Sequence, residues 1–348
     1  MDFSKWAVVG FKDDTGIGRM TRDIQKVLGV GRHLVAPSER MQTKPIDPGR
    51  ELLMASGTGA GQLKEYMAGL AGIICLERLH WNDHLVPAAK ELGLKIVCVP
   101  MWEWFRGTDP SWRDADLFIC PNRKAQEVLA QYGFTNTVHL AWPLDLAQLP
   151  ERNVEGPART FVHNAGLIDH DDRKGTRCVL KAFSKVRNPD LRLILRVQKD
   201  SGLPIDDPRI DLRTGNLEDP ADLYKEGDAA IQPSRMEGLG FMVLEPVCCG
   251  MPVITTDAAP MNEYVTQPQL RSRTELFRKK SFACRAASIR HAYLTPPSIS
   301  SLARTIDWCS HNDLGEISHQ NRRMAQERYG PESLRDAWTE NLARPLVN

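Results

Sequence analysis

Two glutamates, Glu237 and Glu245, stand eight residues apart around the turn Gly238-Leu239-Gly240. An apolar run follows from Phe241. The first acid then sits on a loop and the second on a starting helix. The N–H groups and positive dipole end at such a helix start attract phosphate. Loop carboxylates accept hydrogen bonds from sugar hydroxyls. Further upstream, Arg173-Lys174-Gly175 opens another helical pattern and supplies two cations suited to the same anion. Taken singly, a Lys-Gly pair usually marks a solvated helix start and spaced glutamates are mostly surface charges. Their register with the flanking strand patterns favours one ligand site.

The elements that must hold these residues read as two α/β series. Short apolar runs alternate with amphipathic segments, a pattern of parallel sheets. Strands are expected at 7–11, 71–76, 94–100, 117–121 and 137–140, with helices at 16–28, 83–92 and 124–132. A polar stretch with Pro and Gly at 149–157 reads as a linker. Beyond it come strands at 159–164, 191–198, 210–214, 229–232 and 252–255, with helices at 174–186, 221–224, after 241, 301–309 and 317–342. The division predicted is an N-terminal domain over 1–150, a second domain over 151–330, and a C-terminal helix over 331–348 able to pack back on the first. The fold class is α/β, with two Rossmann-like, doubly wound domains facing across a cleft. Ligands in such sheets bind beyond the carboxyl ends of the strands.

Length and composition fit this division. A chain of 348 residues exceeds a comfortable single core. Its net charge is +1, and Lys plus Arg balance Asp plus Glu in both halves, so no chain-wide basic footprint points to nucleic acid. The eight cysteines contain no Cys-x-x-Cys pair and read as buried, reduced thiols. No metal-binding motif is recognised and no Cys/His cluster has ligand spacing, so no metal is expected. No apolar stretch approaches the ~20 residues that span a bilayer. These features predict a cytoplasmic protein without membrane insertion.

Together the motifs resemble the family-4 retaining glycosyltransferases of the GT-B fold. The segment 222–229, then Gln232-Pro233-Ser234, Glu237, Gly238, Gly240, Glu245, Gly250-Met251-Pro252 and Glu263 follow that family's order, with Arg173-Lys174-Gly175 upstream. The resemblance implies a nucleotide-diphosphate sugar as donor and no cofactor. Lys174, with Arg173, would neutralise the leaving diphosphate. Glu237 would hold the transferred sugar, Glu245 the ribose, and backbone N–H groups over Gly238, Leu239, Gly240 and Phe241 would assist. Base recognition would fall to backbone near 214–217. The resemblance also implies retention without a protein nucleophile.

The chain departs from that pattern in places. The stretch 164–172 lacks the usual diphosphate arginine, and Arg173 or His170 stands closest to its place. After the strand ending at Pro100 comes Met101-Trp102-Glu103-Trp104. Glu103 is a candidate for reaching the reacting sugar or the acceptor, with Trp102 and Trp104 as stacking surfaces; an interfacial aromatic cluster is the competing reading. Gly16 and Gly18 after the first strand fit either close approach of the donor or a plain strand end. The segment 271–291 holds seven Lys and Arg against one acid, Glu275, and offers Arg278, Lys279 and Lys280 to an anionic acceptor. The acceptor is therefore a glycan, a lipid-linked sugar or hydroxymethylated pyrimidine in DNA, the last as in phage-type DNA glycosyltransferases. A nucleotide-sugar epimerase and a non-catalytic nucleotide-sugar binder are the readings from other classes. Oligomeric state is not legible.

Overall fold

The computed structural model describes residues 1–38, 41–168, 171–200, 202–275 and 291–343, and the backbone of 280–281. The chain divides into two compact units, Met1–Asp145 with Tyr329–Asn348, and Leu146–Arg328.

The first unit carries strands β1 (Trp6–Gly10), β2 (Arg32–Val35), β3 (Glu51–Leu53), β4 (Gly72–Glu77), β5 (Lys95–Pro100), β6 (Leu117–Cys120) and β7 (Thr137–His139). They form one sheet in the order β3-β2-β1-β4-β5-β6-β7, with every pairing parallel. Helices α1 (Gly16–Asp23), α2 (Ala60–Met67), α3 (Leu85–Glu91) and α4 (Arg123–Gln131) supply the crossovers. β1, β4 and β5 are buried almost throughout and accordingly read as continuous apolar runs. β2 and β3, which the apolar runs did not reveal, are short and carry Arg32, His33 and Glu51.

The second unit repeats the plan. Its strands are β8 (Thr160–Gly166), β9 (Arg192–Val197), β10 (Ile210–Thr214), β11 (Ala229–Gln232), β12 (Val253–Thr256) and β13 (Arg271–Ser272). The order is β10-β9-β8-β11-β12-β13, again wholly parallel. Helices α5 (Thr176–Phe183), α6 (Phe241–Cys249), α7 (Met261–Tyr264), α8 (Ile299–Cys309) and α9 (Gly315–Tyr329) accompany it, and α10 (Pro331–Ala343) follows. β14 (Lys280–Ser281) pairs antiparallel with β15 (Tyr293–Leu294), two residues each.

In both sheets the third strand in sequence lies at one edge and the first lies inside. The winding direction reverses between β1 and β4, and between β8 and β11. Such switch points open a crevice at the carboxyl ends of the two central strands. In the second unit this crevice receives the loops after β8 and β11, which are the loops carrying Lys174 and Glu237.

The segment expected as a linker is anchored in the second unit. The Arg152 N–H donates to Cys249 O at 2.7 Å, and its guanidinium donates to Tyr224 O and Gly227 O at 2.5 and 2.8 Å. A single arginine thus ties the chain entering this unit to the turn before β11 and to the end of α6. In the first unit, the α10 residue Trp338 lies edge-on to Trp142, with ring centroids 6.2 Å apart. Among the described cysteines all are unpaired, and six of the seven are buried. Burial pushes the Cys120 thiol up to about 12. No helix among the described residues is long and apolar enough to cross a membrane.

Candidate functional site

The site is built from two loops and a helix. After β8 the chain turns through Asp172, Arg173 and Lys174 into α5. After β11 it runs through Pro233, Ser234 and Glu237 to Gly240, where α6 begins. The loops are stapled to each other. The Arg235 N–H donates to Arg173 O at 2.7 Å, and the Arg235 guanidinium donates to Asp171 O. Gly175 must be glycine, because its φ is +73° and a Cβ there would lie 2.5 Å from Pro233 O. Beneath the loops, fully buried His163 bridges Ile231 O (Nδ1, 2.6 Å) and Thr176 Oγ1 (Nε2, 2.9 Å). Carbonyl Ile231 O can only accept, so Nδ1 carries the proton and Nε2 accepts from the threonine hydroxyl. Burial pushes the His163 pKa down to about 4, so the ring is neutral.

This frame brings Lys174 Nζ within 2.7 Å of Glu237 Oε1. Glu237 is 6% exposed. Its burial alone would raise the carboxyl pKa, but the charges of Lys174 and Arg173 outweigh that effect and hold it below the ordinary glutamate range. A carboxylate and an ammonium are therefore stored side by side, both charged, where the sheet opens. Arg173 contributes to the same field from the neighbouring position.

Helix α6 is unusual. Its residues from Val243 to Cys249 are all buried, its N-cap Gly240 has φ +85°, and that cap makes no side-chain hydrogen bond. Tyr264 fixes the approach by donating from its hydroxyl to Leu239 O at 2.7 Å. Within this apolar helix Glu245 is 3% exposed and accepts a hydrogen bond from the buried Tyr224 hydroxyl. A buried carboxylate without such donors would be costly.

Of the residues singled out from the sequence, Arg173, Lys174, Glu237, Gly238, Leu239, Gly240, Phe241 and Glu245 all lie on the two loops and α6 in this unit. Gly16 and Gly18 lie in the first unit, at the start of α1. A Cβ at Gly18 would come within 2.2 Å of Asp13 O, which is a packing reason for that glycine, whereas the same position at Gly16 is open. Trp102, Glu103 and Trp104 form a single 3-10 turn after β5. Trp102 and Glu103 are 3% and 4% exposed, and the Lys124 ammonium sits 5.4 Å from the Trp102 ring centre. Trp102 is thus largely covered in this structure, as the competing reading of an aromatic cluster would have it. Arg278, Lys279 and His170 lie outside the described residues, and Lys280 enters only as backbone of β14. Among the described residues no group of three or more His, Cys, Asp or Glu is placed to hold a metal ion.

The sequence reading passed over His163, Asp172, Tyr224 and Arg235 as site residues. Asp172 carried no local signal, because it accepts from the N–H groups of Thr176 and Arg177, four and five residues on and outside N-cap spacing. Tyr224 lay inside a quoted motif without a role. His163 and Arg235 had no local signal, because both act across strands.

Residues 158–286 match the family model described as glycosyl transferases group 1. No curated protein matches the chain in sequence. Among solved structures, the chain is similar to the lipopolysaccharide outer core galactosyltransferase WaaB in its apo form, with a TM-score of 0.65 at 13% identity over 96% of this chain and 99% of that one. It is similar to a glycosyltransferase from Rickettsia africae ESF-5, with a TM-score of 0.66 at 13% identity over 98% and 99%. Sucrose-phosphate synthase from Thermosynechococcus elongatus gives 0.64 at 13% identity over 96% and 97%. The two Rossmann-like units are those of the GT-B fold. The family match is confined to residues 158–286, and at 13% identity the likeness to these solved structures is one of fold.

Proposed function

We propose that the protein is a retaining glycosyltransferase that takes a sugar from a nucleoside-diphosphate donor and passes it to an acceptor hydroxyl. The Lys174–Glu237 pair at the β8/β11 switch point carries this reading. A diphosphate brings the counter-charge that Lys174 now finds in Glu237, and the released carboxylate can grip hydroxyls of the sugar. Arg173 and the N-terminus of α6 add positive potential for the second phosphate. Glu245, held by Tyr224, would take the ribose hydroxyls.

Three further donor and acceptor contacts belong to the same proposal. Gly16 and Gly18 would allow close approach of the donor, and Glu103 with Trp104 would bear on the acceptor. Arg278, Lys279 and Lys280 would suit an anionic acceptor.

In the reaction the bond from the anomeric carbon to the phosphate oxygen breaks, and the acceptor oxygen bonds to that carbon on the same face. The acceptor proton passes to the departing phosphate oxygen. Charge grows on the diphosphate as this happens, so Lys174 and Arg173 stabilise the transition state more than the ground state. These cations are proposed to do the work that a divalent ion does elsewhere, so a chelator is expected to leave the rate unchanged. Loss of activity on chelation would overturn that part.

The test is a panel of UDP-, GDP- and ADP-sugars scored by thermal shift and by sugar release, with glycans and hydroxymethylated duplex DNA as acceptors. The anomeric configuration of the product is read by proton NMR. A product of opposite configuration to the donor refutes retention. An interconverted sugar still attached to nucleotide identifies an epimerase, and binding without turnover on any acceptor identifies a binder.

A further inference from the structure

In the first unit the chain leaves β4 through a turn with an unusual centre. Glu77 has φ +69°, a left-handed conformation disfavoured for any residue with a Cβ. Across it the Arg78 N–H donates to Leu76 O at 2.9 Å, and the Trp81 indole Nε1–H donates to the same carbonyl at 3.0 Å. One oxygen therefore fastens both partners of a stack, in which the Arg78 guanidinium lies 4.0 Å from the centre of the Trp81 ring. Phe11, the first residue after β1, meets that ring edge-on, with centroids 4.9 Å apart. The trio spans the ends of β1 and β4, where the winding of this sheet reverses.

Trp81 is 8% exposed, whereas Arg78 is open to solvent. Stacking engages the face of a guanidinium and leaves its in-plane N–H donors for an oxyanion. Among the described residues no carboxylate pairs with Arg78. Lys12, which follows Phe11, is by contrast already taken by Glu51 and Pro45 O. A cation steadied on a ring has given up much of the side-chain freedom that binding would otherwise remove. Its place is the carboxyl end of a parallel sheet, where ligands bind.

We propose that Arg78, steadied by Trp81, binds an oxyanion on the acceptor, so that the acceptor is an acidic sugar carrying a carboxylate or a phosphate monoester. This inference deepens the transferase reading above and rests on it. A nucleic-acid duplex would ask for several such cations along its phosphates. One guanidinium on an aromatic platform, beside a lysine already neutralised, fits a single charged group.

Matched probes test this by NMR titration: glucuronate and glucose 6-phosphate against glucose, with hydroxymethylated duplex DNA as a further arm. Wild type is expected to bind at least one charged sugar about tenfold more tightly than glucose, a difference of about 1.4 kcal/mol. Which charged sugar binds tells carboxylate from phosphate. Arg78→Gln keeps hydrogen-bond donors without the charge, and is expected to lose that preference together with its salt dependence. Arg78→Lys keeps the charge without the planar fork and is expected to retain part of it. Trp81→Leu frees the guanidinium and is expected to weaken charged-sugar binding severalfold; if it does not fold, the two Arg78 variants carry the test. Equal wild-type affinity for charged and neutral sugars, or a preference that survives Arg78→Gln, overturns the proposal. Binding of the duplex alone, lost in Arg78→Gln, overturns it in favour of nucleic acid. A charged-sugar preference in protein that binds no nucleoside diphosphate sinks the donor reading while Arg78 keeps its ligand. Diphosphate binding without that preference sinks this inference alone.

Discussion

Lys174 and Glu237 are 63 residues apart in sequence and 2.7 Å apart in space. Because each is the other's counter-ion, removing one does more than remove a ligand contact. Lys174→Met leaves a buried carboxylate without its ammonium, and Glu237→Gln keeps an acceptor oxygen but leaves the cation without its counter-charge. Both are expected to lower kcat/KM about 100- to 1,000-fold, the usual loss for a group that meets developing charge. In a double-mutant cycle followed by denaturant unfolding, the pair should be coupled by about 0.5–3 kcal/mol. Additive effects would mean the ion pair does not hold the loops.

The same pair sets an acid limit. The folded Glu237 carboxyl lies below its ordinary value, so the stability it contributes is complete above the unfolded pKa and is lost as pH falls through the lower folded one. In Lys174→Met the largest charge opposing burial is gone, and the acid limb of the Tm profile should move to higher pH. An unmoved limb would show that Arg173 alone keeps the carboxylate ionised.

His163 and His33 give a second pH signature at higher pH. Burial brings both down to about 4 in the folded chain, against 6.5 for the ordinary imidazole. The unfolded chain then binds more protons between these values, so stability is complete above about pH 6.5 and is lost as pH falls toward 4. At about 1.4 kcal/mol per pKa unit, the effect is of the order of a few kcal/mol. Urea unfolding at pH 7.5 and 5 should show it, and His163→Gln should flatten part of the slope. Equal stability at both pH values would refute the neutral, buried tautomer.

Gly16 and Gly18 separate packing from ligand approach. Gly18→Ala drives a Cβ to 2.2 Å from Asp13 O, and a loss of about 1–3 kcal/mol is expected, as for other overpacked sites. Gly16→Ala meets open space and should leave Tm unchanged or slightly raised. If the donor approaches this turn, Gly16→Ala weakens nucleotide binding at constant Tm. Unchanged affinity in calorimetry would remove Gly16 from the donor site.

Tyr224→Phe deletes one hydroxyl that donates to Glu245. The buried carboxylate then loses a partner, at a cost of about 1–3 kcal/mol. Nucleoside affinity should fall severalfold, with the sugar-dependent part of kcat retained. A variant that loses stability alone would make Tyr224 a core residue without bearing on ribose.

Much of the architecture was legible because parallel strands covered on both faces must be apolar throughout. β1, β4 and β5 announced themselves in this way, and β8, β9, β11 and β12 through apolar runs that also carry polar residues. β2 and β3 did not, because their few residues are interrupted by charge. The site motif was legible as a sequence of residue types, from Arg173-Lys174-Gly175 to Glu245. The polar stretch at 149–157 looked like a linker because nothing local shows that Arg152 reaches carbonyls 72 and 75 residues away. The burial of Trp102 was not legible because it depends on neighbours outside its own turn.

By itself the chain determined the alternation of strands and helices, the loop and helix that carry Glu237 and Glu245, and the glycines their turns require. These follow from side-chain hydrophobicity and backbone sterics within a few residues. Only the tertiary structure decided that Lys174 meets Glu237, that Tyr224 holds Glu245, and that Asp172 rather than a ligand fills the start of α5. The first of these pairings exists because β8 lies beside β11, and strand order is a property of how crossovers pack on a twisted sheet, which no local stretch of residues encodes.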